Sequence, residues 1–159
     1  MVLIREVASD DWQLLRDVRL TALLEAPSAF GSSYEREAVF SETDWRGRIE
    51  ARGVSFLAYL PEVSPAGLAG SFGDRPGVAE LVSMWVAPAA RGRGTGEALV
   101  TAVVNWAKNH DYREVHLWVT ESNVHARGLY ERCGFVPTGE RQPLPSNPSL
   151  PEIGMRLPI

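Results

Sequence analysis

One cysteine, Cys133, stands among 159 residues, which excludes a disulfide framework and any zinc site built from several thiolates. Histidine is equally scarce: His110, His116 and His125 are all there are, and none share the spacing of a two-histidine helical metal pair. Neither pattern gives a metal a home, so none is expected. Of the 16 basic residues only Lys108 is lysine, a bias with no functional reading. No run of like charge occurs, and no stretch approaches the ~18 apolar residues of a membrane-spanning helix. Met1-Val2-Leu3-Ile4-Arg5 leads directly into a strand pattern, with no secretory segment before it. These absences predict a soluble, cytoplasmic protein with no membrane partner.

What is present suits a folded domain. Hydrophobic residues make up 45% and charged residues 23%, enough for a core without staples, and the length fits a single domain over residues 1–159. The net charge is −4, and the acidic excess lies in residues 1–80. That distribution opposes binding to nucleic acid, whose phosphates demand a basic face, and better suits a cationic partner.

The pattern along the chain alternates between periods. Val2–Val7 reads as a strand, and Ser9 stands at an N-cap position before a helix of about residues 10–25. Ser41-Glu42-Thr43-Asp44 resembles a capping box before Trp45 and Ile49. Val54–Tyr59, residues 67–73 and residues 78–86 read as strands, the last two joined by the turn Asp74-Arg75-Pro76-Gly77. A helix over 94–109, a strand at Val115–Val119 and a short helix over 123–132 follow. Phe135-Val136 opens another strand. The proline-rich stretch Pro143–Pro148 reads as a rigid loop, and Glu152–Leu157 as a final strand. Hairpins mixed with helical crossovers predict a mixed α/β sheet with helices on both faces.

The most informative stretch is Leu81–Gly96. A strand ends at Pro88, and Gly92, Gly94 and Gly96 then open a helix beside Arg91 and Arg93. Alternating glycines let the chain turn tightly and aim several N–H groups at one anion, where the helix dipole also favours negative charge. The stretch lacks the Gly-Lys-Ser/Thr ending of a Walker loop and the spacing of the dinucleotide fingerprint. Taken alone, the glycines read more readily as a plain flexible turn before a helix.

Val86-Ala87-Pro88 followed by Arg91-Gly92-Arg93-Gly94-Thr95-Gly96 resembles the acetyl-CoA-binding motif of the GNAT N-acetyltransferase superfamily. Asn123-Val124-His125-Ala126-Arg127-Gly128-Leu129-Tyr130-Glu131-Arg132-Cys133-Gly134-Phe135 is similar to its second signature, N-x-x-A-x-x-L-Y-x-x-x-G-F. The two lie one helix and one strand apart, as in that superfamily. Thr95 departs from the usual aliphatic residue, and Ala89-Ala90 from a commonly polar pair. The resemblance implies an α/β fold with a mixed, mostly antiparallel central sheet of about seven strands and helices on both faces. It further implies direct transfer of acetyl from acetyl-CoA, as cosubstrate, to a primary amine without a covalent enzyme intermediate.

Carried onto this chain, the resemblance assigns main-chain contacts with the pantetheine to Met84, Trp85 and Val86, one amide polarising the thioester carbonyl. Arg91, Gly92, Arg93, Gly94, Thr95 and Gly96 would hold the pyrophosphate, and Asn123 would fix the cofactor near the second strand. Tyr130 matches the tyrosine that protonates the departing thiolate; the alternative is that it only packs. Glu80 stands where several members place a catalytic glutamate; the alternatives are a surface glutamate and proton loss directly to water. A base matters most for a lysine-like amine, whose deprotonation at pH 7 costs about 4.6 kcal/mol against about 1 kcal/mol for an α-amine. Cys133, His116 and His125 read as packing or exposed groups rather than catalytic ones.

By the same resemblance the acceptor pocket is built from roughly residues 25–37 and 139–150. Glu25, Phe30 and Tyr34 are the candidate substrate-binding residues, acid and aromatic together, suited to the amine of a small molecule. A peptide or protein amine is the alternative acceptor, and a non-catalytic acyl-CoA-binding module the alternative function. A homodimer is compatible with the fold.

Overall fold

A computed structural model describes residues 1–159. Seven strands form one sheet in the order β1-β2-β3-β4-β5-β7-β6. β1 (Leu3–Glu6), β2 (Val54–Tyr59), β3 (Gly67–Arg75) and β4 (Val78–Val86) pair antiparallel in sequence order. β4 then pairs parallel with β5 (Glu114–Thr120), and β7 (Asn147–Pro158) runs antiparallel between β5 and β6 (Val136–Leu144). The one parallel pair needs a crossover, which α4 (Thr95–Asn109) supplies. The mixed, mostly antiparallel seven-stranded sheet expected from the sequence is the sheet observed.

The helices cover both faces. Leu99 and Thr95 of α4 pack on β3 at Gly67, whereas Trp85, the register partner of the next residue Leu68, reaches Glu25 at the end of α1 (Trp12–Glu25). Successive strand residues point to opposite faces, so α1 and α4 flank the sheet from opposite sides. Leu99, Val100, Val103 and Ala107 are buried from α4, and Leu15, Val18, Ala22 and Leu23 from α1. α2 (Tyr34–Glu37) and α3 (Glu42–Glu50) complete the α1 side, where Trp45 is buried. α5 (Val124–Arg132) follows β5.

Two local expectations are corrected. Ser9 does not cap α1; it lies in a 3-10 turn and its hydroxyl donates to Glu50 Oε1 at 2.7 Å, while Asp11 Oδ2 accepts from the Ala8 amide at 3.0 Å. Ser41 and Asp44 do form the reciprocal cap of α3, at 3.2 and 2.9 Å. The proline-rich stretch is a hairpin rather than a loop, for Leu144 pairs with Asn147 around Pro145-Ser146. β5 pairs with β7 only from Glu152 onward, so Pro148 and Pro151 lie beyond that ladder, where a missing N–H costs little. The hairpin tip reaches the segment after α1: Ser146 Oγ donates to the Phe30 carbonyl at 2.5 Å, and Pro145 lies against Gly31.

Candidate active site

The parallel ladder between β4 and β5 ends at Leu81 and Leu117. One residue further, β4 kinks. Gly70 pairs with Val82 but Leu68 with Trp85, so β4 carries one extra residue, and Ser83 within it has φ +61°. A bulge bends a strand and sharpens its twist, and here β4 leaves β5 behind. Between them opens a cleft of about 70 Å³, partly open to solvent, floored by Leu81–Met84 and Trp118–Thr120 and flanked by Asn123, Ala126 and Tyr130 of the α5 region. The main-chain groups of β4 on this side have no strand partner past Leu81.

At the end of β4 the glycine loop presents a second set of unused donors. The amides of Gly92, Arg93, Gly94, Thr95, Gly96 and Glu97 donate no hydrogen bond to the backbone, because α4 begins at Thr95 and offers them no preceding carbonyl. Gly94 is the N-cap with φ +82°, a conformation that a side chain would strain. Gly96 serves a different purpose from the turn: a Cβ there would lie 2.8 Å from Leu129 Cδ2, so its bareness lets α5 approach α4. Thr95 is buried and its hydroxyl donates to the Ala90 carbonyl at 3.1 Å, which accounts for a polar residue at that position. Six free amides at a helix start fit a pyrophosphate, and the free edge of β4 fits an amide-bearing chain.

The arginines of the loop are less free than the sequence suggests. Arg91 donates to Glu25 Oε1 at 2.5 Å and to the Val86 carbonyl at 3.1 Å, and Arg93 pairs with Glu62. Glu25 also accepts from Trp85 Nε1 at 2.9 Å. Its carboxylate thus ties α1, β4 and the glycine loop together and does not line the cleft. Phe30 is buried and Tyr34 packs against the core, so neither candidate substrate residue reaches the cleft. Of the pantetheine candidates, Met84 lines the cleft, Trp85 turns its indole to the α1 side, and Val86 gives its carbonyl to Arg91. Asn123 lines the cleft and caps α5, its Oδ1 accepting from the Ala126 amide at 3.2 Å.

Tyr130 sits in the cleft wall, 4% exposed, with its ring edge-on to Phe135 at 5.9 Å. No hydrogen bond to a protein group involves its hydroxyl, and burial raises its pKa above the ordinary phenol value. It stays protonated through neutral pH, as an acid must. Cys133, two residues before Phe135, is half-buried with its thiol pushed up by burial, in keeping with a packing role.

Glu80 is buried outside the cleft lining, and its partner is the histidine read as structural or exposed. His116 Nδ1 lies 2.9 Å from both Glu80 carboxylate oxygens, and Nε2 lies 2.8 Å from Glu140 Oε1. Both ring nitrogens face carboxylate oxygens, an arrangement that favours the ring with hydrogen on both. Burial alone would lower the His116 pKa, but the hydrogen bonds to Glu80 and Glu140 outweigh it and raise it. His116 is 2% exposed, while the Glu140 side chain is 41% exposed, so the unit runs from buried β4 to solvent at β6. Sequence reading missed His116 and Glu140 because strand pairing, and not proximity in sequence, joins them to Glu80.

Comparison with known proteins places this architecture. The chain is 31% identical over 114 residues to a mycothiol acetyltransferase of Salinispora arenicola, covering 66% of this chain and 37% of that protein. It is 36% identical over 64 residues to a putative ribosomal protein bS18-alanine N-acetyltransferase of Bacillus subtilis, covering 40% of this chain and 42% of that one. The chain thus spans less than half the length of either relative. Among solved structures, YncA of Salmonella typhimurium, a putative acetyltransferase determined with acetyl-CoA, matches with a TM-score of 0.80 at 19% identity over 99% of this chain and 94% of that one, a likeness of fold. The model of the acetyltransferase (GNAT) family matches residues 17–135, well over half the sequence, and the chain belongs to that family.

Proposed function

We propose that the protein is an N-acetyltransferase that moves acetyl from acetyl-CoA directly to a primary amine of a small molecule. The observation that carries this reading is the pairing of two unused donor sets on one continuous path: the free edge of β4 along the cleft and the open amides of residues 92–97 beyond it. Acetyl-CoA, when bound, supplies the thioester whose carbonyl the amine attacks. The amides of the glycine loop hold the pyrophosphate, and the freed main chain of Val82–Val86 pairs with the pantetheine and polarises the thioester carbonyl. Arg91 and Glu25 keep the loop in register with β4.

Tyr130, protonated and without a protein partner, gives its proton to the departing thiolate. The proton lost by the amine passes by way of solvent to the unit of Glu80, His116 and Glu140, which meets solvent at the Glu140 end. Glu80 is its inner end and Glu140 its outer end. A small acceptor fits better than a peptide because the β6–β7 tip closes against Phe30 and Gly31 across the acceptor side. The mycothiol acetyltransferase among the relatives is named for a small molecule.

The test is thiol release from acetyl-CoA with a panel of polyamines, amino acids and amino sugars beside N-terminal peptides. Release with a small amine and none with peptides supports the reading. Release only with peptides overturns the acceptor class, and binding without release from any amine overturns the enzyme in favour of an acyl-CoA-binding module.

A further inference from the structure

Ser83 makes the kink that opens the cleft, yet it is a serine in a backbone conformation that favours glycine. A non-glycine residue persists there only where its surroundings over-determine it. One group holds its side chain. Arg19 Nη1 donates to Ser83 Oγ at 2.8 Å. Arg19 itself has no freedom: Nε and Nη2 donate to the two oxygens of Glu37 at 3.0 and 2.9 Å, and the guanidinium lies 4.8 Å over the Phe30 ring. Glu37, 1% exposed, is fixed in turn by Arg48 Nη1 at 3.0 Å. α1, α2 and α3 each contribute one member, and the single arm left over reaches the kink.

We propose that Arg19 is a positioning residue which, through the Ser83 hydroxyl, holds β4 in its kinked course and so keeps the cleft edge free to take the acyl donor. The last clause rests on the functional reading above; the strap itself does not. A buried arginine with a bidentate carboxylate is complete as a structural pair, and its third arm is spent on a strand residue 64 positions away. The strap makes the three helices of the α1 side answerable for the shape of the cleft.

The test compares Ser83→Ala with Ser83→Gly. Both remove the hydroxyl, but glycine takes positive φ without an anchor. Two quantities are read: amide hydrogen exchange of residues 82–86 in the free protein, and the dissociation constant for acetyl-CoA. Ser83→Ala speeds exchange in that segment and weakens acetyl-CoA about tenfold, whereas Ser83→Gly weakens it less than about threefold. Arg19→Met repeats the alanine phenotype, and adding Ser83→Gly to it restores both readings; should that variant fail to fold, the Ser83 pair decides. Alanine indistinguishable from wild type overturns the strap. Equal loss in alanine and glycine also overturns it, because the hydroxyl would then act on the ligand itself. If wild-type protein binds no acetyl-CoA, the functional reading fails while the exchange contrast still decides the strap.

Discussion

At Tyr130 two roles open to a tyrosine on a short helix coincide. Its ring packs on Phe135, and its hydroxyl is left without a protein partner at a cleft wall. Tyr130→Phe keeps the packing and removes the acid, so turnover should fall at least about 100-fold while the acetyl-CoA KM moves less than about twofold. Equal turnover would reduce Tyr130 to packing. The His116 unit carries a pH signature. If it takes the amine's proton as proposed, it does so only after its own has left, so kcat/KM should rise with pH through an apparent pKa above the ordinary histidine value of about 6.5. Glu140→Gln removes one of the carboxylates that hold that proton, and the rising limb should move to lower pH. A limb that stays in place would detach Glu140 from the proton path. At this scale the placement of Tyr130, Gly94 and Asn123 beside the cleft and the glycine loop was legible because the motifs that carry the resemblance are local in sequence. Glu25 and Phe30 were not, because whether an acid or an aromatic faces a cleft or a neighbour is decided by packing. His116 and Ser83 gave no signal: one depends on two strands pairing, the other on a kink that any sequence search for glycine passes over.

Between elements the two glycines of the loop separate cleanly. Gly94→Ala strains a backbone at φ +82° with nothing within 4 Å of the new Cβ. It should cost roughly 1–2 kcal/mol and weaken acetyl-CoA by shifting the open amides. Gly96→Ala instead pushes on the flexible end of Leu129, 2.8 Å away. It should lower the thermal midpoint by a few degrees, about 1 kcal/mol, with less effect on acetyl-CoA, and Leu129→Ala should relieve part of that loss. Similar effects of the two variants on binding would mean that both glycines serve the anion. Elements with strong periodicity, α4 and the β3–β4 hairpin, could be drawn from the sequence. The β6–β7 hairpin could not, since proline density reads as loop wherever the strand's free edges are unknown.

For the molecule as a whole, ligand and proton should both register in stability. Saturating acetyl-CoA at about 100 times Kd contributes roughly 2.7 kcal/mol, a rise of about 5–10 °C in the thermal midpoint at this size. Adenosine diphosphate alone should not match it. In acid, Glu37 is the group to watch. Burial pushes its pKa up, but Arg19, Ser32 and Arg48 together outweigh that and hold it at about 2, below its ordinary 4.5. The folded state therefore binds this proton less readily than the unfolded one; the stabilisation, about 3 kcal/mol, is complete above pH 4.5 and is lost as pH falls towards 2. Glu37→Gln should flatten that limb of the melting curve. His116 has the opposite sign, its contribution complete below about pH 6.5 and fading as pH rises through its raised value.

The strand order also constrains how the molecule can be made. β7 is synthesised after every other strand, yet it lies inside the sheet, between β5 and β6. While the chain emerges from the ribosome, the first four strands can pair as they appear, but one edge of β5 has no neighbour until residues 152–158 arrive. A nascent chain stalled short of that point presents buried-type residues such as Val115 and Leu117 on an open edge, the geometry that invites pairing between chains. The arrival of residues 152–158 therefore bears on solubility more than their distance from the cleft would suggest.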